Sequence, residues 1–319
     1  MTPRKRSRTA VEIAAVLILV LGGGLWLFRS TIYTRADAPA PLPAAPAPAA
    51  PQAPIIPAIP EDQAVVASVV GEVVRLGPSG AATALAVGDK LHESDSLRTG
   101  KGARTDLQLG SGSRLTVAES TQLTVREISE KVHRFKLNRG RISADYKPNG
   151  ERVLRVENEA GDAVAETKGA RFSLLSTGQS LAVASAEGAV DLTAQAKTVT
   201  VGAGQQAIAL AGKPPSAAEA IPASLLLKVA DASAAHHQEG LCAEVDGAAP
   251  RGAEVLIDGV PAQLVDGKFH QRVPKEKDKR AVLVAVRDAS GRETTRTVPC
   301  ETEASIRDLT MRWRRKKAN

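Results

Sequence analysis

Aromatic side chains are scarce. Two Trp, two Tyr and four Phe make up 3% of the 319 residues, so a packed core has to come from Val, Leu, Ile and Ala, and a sugar-binding platform of exposed rings is disfavoured. Chemical motifs are missing too. The chain has no HExxH, no GxSxG and no Walker A loop, which removes the zinc-protease, nucleophile-elbow and P-loop classes. Gly202-Ala203-Gly204-Gln205-Gln206-Ala207 imitates a dinucleotide-binding turn, but Pro214-Pro215 follows too closely for the helix such a turn must open. His92, His133 and His270 are isolated and read as surface or turn residues. No enzyme, cofactor or metal site is expected.

Basic charge is present but misleading. The formal net charge is +7 and the pI about 9.5. Arg4, Lys5, Arg6 and Arg8 at one tip and Arg312, Arg314, Arg315, Lys316 and Lys317 at the other outnumber that total. The body between them is slightly acidic, and nucleic acid is not an expected partner.

Val11 to Phe28 is an apolar run of about 18 residues, long enough to span roughly 27 Å as a helix. Basic residues 1–10 precede it, which predicts a signal anchor with a cytoplasmic N-terminus and an exported bulk. A cleaved signal peptide is the competing reading, but Ala36-Asp37-Ala38 lies well past the run and is followed by Pro39. Residues 36–60 are Pro- and Ala-rich, an extended spacer reaching about 75–80 Å.

From 64 to 210 short alternating segments, such as Val69 to Leu76, Arg134 to Leu137 and Leu181 to Ala184, are broken by Gly, Asp and Ser. This is the pattern of many short strands. The order of its pieces resembles the FecR periplasmic domain: Val70-Gly71-Glu72-Val73, Val87-Gly88-Asp89-Lys90-Leu91, Asp95-Ser96-Leu97-Arg98-Thr99-Gly100, Thr105 to Leu109, Leu137-Asn138-Arg139-Gly140-Arg141-Ile142, Thr167-Lys168-Gly169-Ala170-Arg171-Phe172, Glu187-Gly188-Ala189-Val190 and Val201 to Gln205. Ala170 departs from the family, which usually has Thr there. Gly71, Gly100, Gly140, Gly169 and Gly188 are expected where strands turn with positive φ, with Gly88 in the same class. Asp89 and Asp95 are expected to accept turn amides, having no base or nucleophile beside them.

Residues 213–223 read as a second linker, and 224–304 resume the strand pattern. Gly252-Ala253-Glu254-Val255, Asp266-Gly267-Lys268-Phe269 and Val286 to Gly291 resemble a small bacterial Ig-like sandwich. In such a domain Cys242 and Cys300 lie near neighbouring first and last strands, and a disulfide is preferred over free thiols or a metal site with His236 and His237. The tail, 305–319, with Trp313 among its cations, reads as a solvated end or a contact for a membrane or an acidic partner.

The expected class is thus all-β: a FecR-type twisted β-roll or solenoid-like domain, then an Ig-like β-sandwich, after one transmembrane helix. FecR members of the signalling type carry a cytoplasmic segment for a sigma factor and receive a signal from an outer-membrane receptor. Here about ten residues precede the span. The first expectation is therefore an inner-membrane-tethered envelope module that binds a protein or polymer. FecR-type signalling comes second and a cell-wall polysaccharide binder third. The oligomeric state is left open.

Overall fold

Short β-branched runs separated by turn residues can bury one face only by pairing into sheets and stacking those sheets. The computed structural model describes residues 60, 62–77, 80–230 and 241–300. The basic N-terminus, the expected membrane span, the Pro/Ala stretch to residue 59, His236, His237 and the basic tail fall outside the described residues. All described residues belong to one compact unit, Pro57–Asn319, and among them no helix is present.

The first part comprises β1 (Ala64–Val70), β2 (Val73–Leu76), β3 (Ala82–Ala84), β4 (Lys90–Leu91), β5 (Ser96–Thr99), β6 (Arg104–Leu109), β7 (Ser113–Val117), β8 (Gln122–Ile128), β9 (Val132–Tyr146), β10 (Val153–Asn158), β11 (Ala163–Thr167), β12 (Ala170–Ser176), β13 (Ser180–Gly188), β14 (Val190–Ala194), β15 (Lys197–Val201), β16 (Gln205–Leu210) and β17 (Glu219–Ala220). One face of the roll runs β4-β1-β6-β7-β9-β12-β13-β16-β17. The other runs β3-β2-β5-β8-β9-β10-β11-β14-β15. Among the described residues only β9 and β10 pair in parallel. After β9 successive hairpins alternate between the two faces, each extending its sheet outward, which is the winding of a roll.

β9 belongs to both sheets and sits in the middle of each. Its first half pairs with β8 and β10, its second with β7 and β12. His133, Phe135 and Leu137 point inward in the first half; Gly140, Ile142, Ala144 and Tyr146 do so in the second. The inward side thus shifts by one residue. A bulge opposite Gln122 and Leu123 supplies the extra residue. Gly140 is the pivot, with φ 91°. A Cβ there would run into Thr121, reaching that residue's Cα at 2.6 Å. Thr121 is itself pinned: its amide donates to Thr99 Oγ1 at 2.9 Å, and its hydroxyl accepts from the Arg141 amide at 3.1 Å.

The structure corrects several expectations. Gly140 lies within a continuous strand and not at a turn. Val69 to Leu76 is not one strand: Gly71, φ 74°, divides β1 from β2 as the chain changes sheets. Gly88 and Gly188 also have positive φ, but Gly100 and Gly169 do not, because each joins its flanking segments in an ordinary conformation. Residues 213–223 are not a free linker. β17 pairs with β16, and the Ile221 amide donates to Gly204 O at 2.9 Å. His133 is buried in the core, edge-on to Tyr146, whose hydroxyl lies 3.3 Å from His133 Nδ1. The two ends of β9 therefore meet inside the roll. The core around them is mainly Leu, Val and Ala.

The second part comprises β18 (Lys228–Val229), β19 (Leu241–Ala248), β20 (Glu254–Ile257), β21 (Val260–Ala262), β22 (Lys268–Pro274), β23 (Ala281–Arg287) and β24 (Glu293–Pro299). Sheet β18-β19-β22 faces sheet β21-β20-β23-β24. Asp258-Gly259, with φ of 52° and 83°, makes the tight turn between β20 and β21. Cys242 on β19 and Cys300 just after β24 form a disulfide with Cα atoms 4.5 Å apart, joining opposite sheets. It removes the free-thiol and metal readings of Cys242.

Two stability predictions follow from these geometries. Gly140→Ala should lose at least about 3 kcal/mol, combining left-handed backbone strain with overpacking against Thr121. Gly88→Ala has φ 92° and open space around it, and should lose about 1–2 kcal/mol. Urea unfolding of both variants checks this, and equal losses would remove Gly140 from its special position. Reducing the Cys242–Cys300 bridge, which closes a separation of 58 residues, should lower stability by about 4 kcal/mol in the chain-entropy account. Denaturation with and without dithiothreitol measures it.

Candidate functional site

Sheet faces that meet water carry polar residues, so buried apolar groups on an outer face mark a contact. Leu175 on β12 and Ala182 and Ala184 on β13 point away from the roll's core and are nevertheless buried, together with Ala289 from the β23–β24 turn. Ile208 of β16 and Ile221 pack beside them. The run Leu181-Ala182-Val183-Ala184 is buried on both faces. The entry into β20 closes on the same patch: a Cβ at Gly252 would lie 2.9 Å from Ile208 Cδ1. The roll and the sandwich meet here.

Charged groups border this apolar contact. Arg287, on the outer face of β23, reaches Glu119 Oε1 of the roll at 2.5 Å and Glu293 Oε2 at 2.7 Å. Burial pushes Glu119 up, but the Gly102 amide and Arg287 outweigh it and hold the carboxyl below its usual range. Arg292 donates to Asp288 Oδ2 at 2.9 Å and to the Pro222 carbonyl. Arg141, the residue after the pivot, lies where any side chain at Gly291 would have to go. Burial and then Arg287 depress its pKa, against Asp288, Glu119 and Glu254; a guanidinium remains charged throughout.

Glu254 is the exception. It is 7% exposed and stands opposite Arg287 on the neighbouring strand. Its carboxylate has no hydrogen bond or ion pair among the described residues, because the Arg287 fork is taken by Glu119 and Glu293. Burial pushes Glu254 up; Arg287, Arg139 and Arg141 pull it back without restoring the usual value, and Glu119 adds to the rise. Glu254 lines a small cavity of about 70 Å³ with Glu119, Arg141 and Arg287. It also lines a cleft of about 360 Å³ between the turn after β12, the end of β16 and the β20–β21 hairpin.

The expected site residues do not converge on this place. Gly71 abuts Ala103, and Gly188 abuts Gly169 and Ala170, as close backbone crossings. Asp89 Oδ2 accepts the Ala86 amide and Asp95 Oδ2 the His92 amide, each at 2.9 Å. Arg312, Trp313, Arg314, Arg315, Lys316 and Lys317 lie outside the described residues. The junction residues Glu119, Arg141, Glu254 and Arg287 were not singled out from sequence. The one available signal was the unbroken apolar run of β13. Among the described residues no group of three His, Cys, Asp or Glu could hold a metal ion.

Because the folded state holds Glu254 above its unfolded value, it binds more protons there, and stability falls as pH rises from the ordinary glutamate range through the elevated folded value. Glu254→Gln should therefore raise stability near neutral pH by about 1–3 kcal/mol and leave it unchanged at pH values below the carboxylate range. Thermal melts across pH test this; a variant less stable at neutral pH would show that the carboxylate is satisfied.

The family model described as FecR protein matches residues 95–191. No curated protein matches the chain. Two crystal structures of a candidate anti-sigma factor from Parabacteroides distasonis ATCC 8503, at 1.65 and 2.50 Å resolution, are similar at 13% and 12% identity, each with a TM-score of 0.35. Each match covers 39% of this chain, which spans 59% of that chain's length. The matched family segment begins one residue before β5 and ends in β14, with the shared strand β9 between them, so the likeness to the FecR family falls on the middle of the roll.

Proposed function

We propose that this protein is a component of FecR-type transmembrane signalling that works by binding a partner protein and performs no chemistry of its own. The family match over residues 95–191 carries the reading. It supports signalling above the envelope assembly role expected first from sequence. In this proposal Val11 to Phe28 anchors the chain in the inner membrane with its N-terminus inside, the Pro/Ala stretch gives the folded unit reach, and the roll with its Ig-like sandwich receives the partner outside.

Crosslinking in intact cells, followed by recovery of the tagged full chain, should yield a membrane-embedded or outer-membrane signalling partner. Deleting the gene should change transcription of a defined set of genes when that partner is stimulated. Unchanged transcription, with only structural envelope proteins recovered, would overturn signalling in favour of assembly.

A further inference from the structure

The roll–sandwich cleft has three properties that together specify a ligand. Its volume, about 360 Å³, sits at the small end of ligand pockets, and such pockets favour junctions between modules. One wall carries Glu254, more than nine-tenths buried and without a hydrogen-bond or ion-pair partner among the described residues. Other walls carry Arg139, Lys213 and Arg251, all exposed and without an ion pair among the described residues.

Each simpler ligand class fails against one of these walls. A dianion would gain from the cations but would leave Glu254 buried and unpaired, with a like charge brought toward it. A diamine would satisfy Glu254 but face three cations. Strand addition along the outer edge of β21 is blunted by Pro261, which has no N–H to offer. A molecule with an ammonium at one end and a carboxylate at the other satisfies every wall. Charge-assisted hydrogen bonds in a partly desolvated cleft are the stronger kind.

We infer that this cleft binds a small zwitterion of the amino-acid or short-peptide class, its ammonium on Glu254 and its carboxylate toward Arg139 and Arg251. The carboxylate, with no protein partner among the described residues, is then the recognition group. This inference is independent of the signalling reading, since a partner protein can be recovered whether or not the cleft holds a ligand.

The probe is the dipeptide Ala-Ala with two blocked forms, N-acetyl-Ala-Ala and Ala-Ala amide, titrated onto the full chain in detergent by calorimetry and ligand-observed NMR. Ala-Ala should bind, and each blocked form should bind at least about tenfold more weakly, the loss of one charge-assisted contact. Glu254→Gln should abolish discrimination against the acetylated form while retaining a folded thermal transition. Arg139→Ala combined with Arg251→Ala should abolish discrimination against the amide. No binding of Ala-Ala at millimolar concentration, equal binding of all three peptides, or unaltered discrimination in the variants would each overturn the inference.

Discussion

A strand that serves two facing sheets has to change which of its sides meets the core, and β9 does so at Gly140. Period two leaves no gradual route: side chains alternate strictly, so one extra residue is needed and the backbone must absorb it locally. The bulge before Gly140 supplies the residue, and glycine supplies both the positive φ and the absence of a Cβ above Thr121. Everything outward in the roll is registered from this point. β7 and β12 take their alignment from the second half of β9, and β8 and β10 take theirs from the first. The family match brackets the same region.

Much of this was legible in the sequence. Alternation identified the strands, and the order of Gly-containing pieces gave the FecR resemblance. What stayed hidden was long-range. Gly140 carries the local signal of a turn, and nothing nearby distinguishes a chain that reverses from one that crosses between sheets. Pro214-Pro215 likewise reads as a linker, although the chain pairs again at Glu219. His133 looked like a surface residue because its partner, Tyr146, comes close only once β9 has bent. The junction was least visible of all. Glu119 and Arg287 are far apart in sequence, and charged residues at outward strand positions ordinarily face water.

The junction differs in kind from the two cores it joins. Its buried apolar set is small, with Leu175, Ala182, Ala184 and Ala289 at the centre, whereas the roll and the sandwich each bury a continuous cluster. Its ion pairs are partly exposed, Arg287 at 22% and Glu119 at 26%, so solvent screens them and their contribution is modest. Glu254 works against the contact as long as it is charged and alone. Packing holds the two modules together here, while the electrostatics are left partly unresolved.

That contrast decides where the folded unit can respond to a partner or ligand. A shift of β9 by one residue would turn His133, Phe135 and Leu137 outward together, and the sheets on both sides would lose their inward faces with it. The sandwich is tied across its sheets by Cys242 and Cys300. An internal rearrangement of either module would have to break a β ladder or strain that disulfide. A change at the junction would instead exchange a few apolar contacts and screened ion pairs without breaking a β ladder. A group that paired with Glu254 would offset its burial and its repulsion from Glu119 and strengthen the contact between roll and sandwich. By linkage, a ligand that pairs with Glu254 only when roll and sandwich are in contact would favour that contact by its differential affinity.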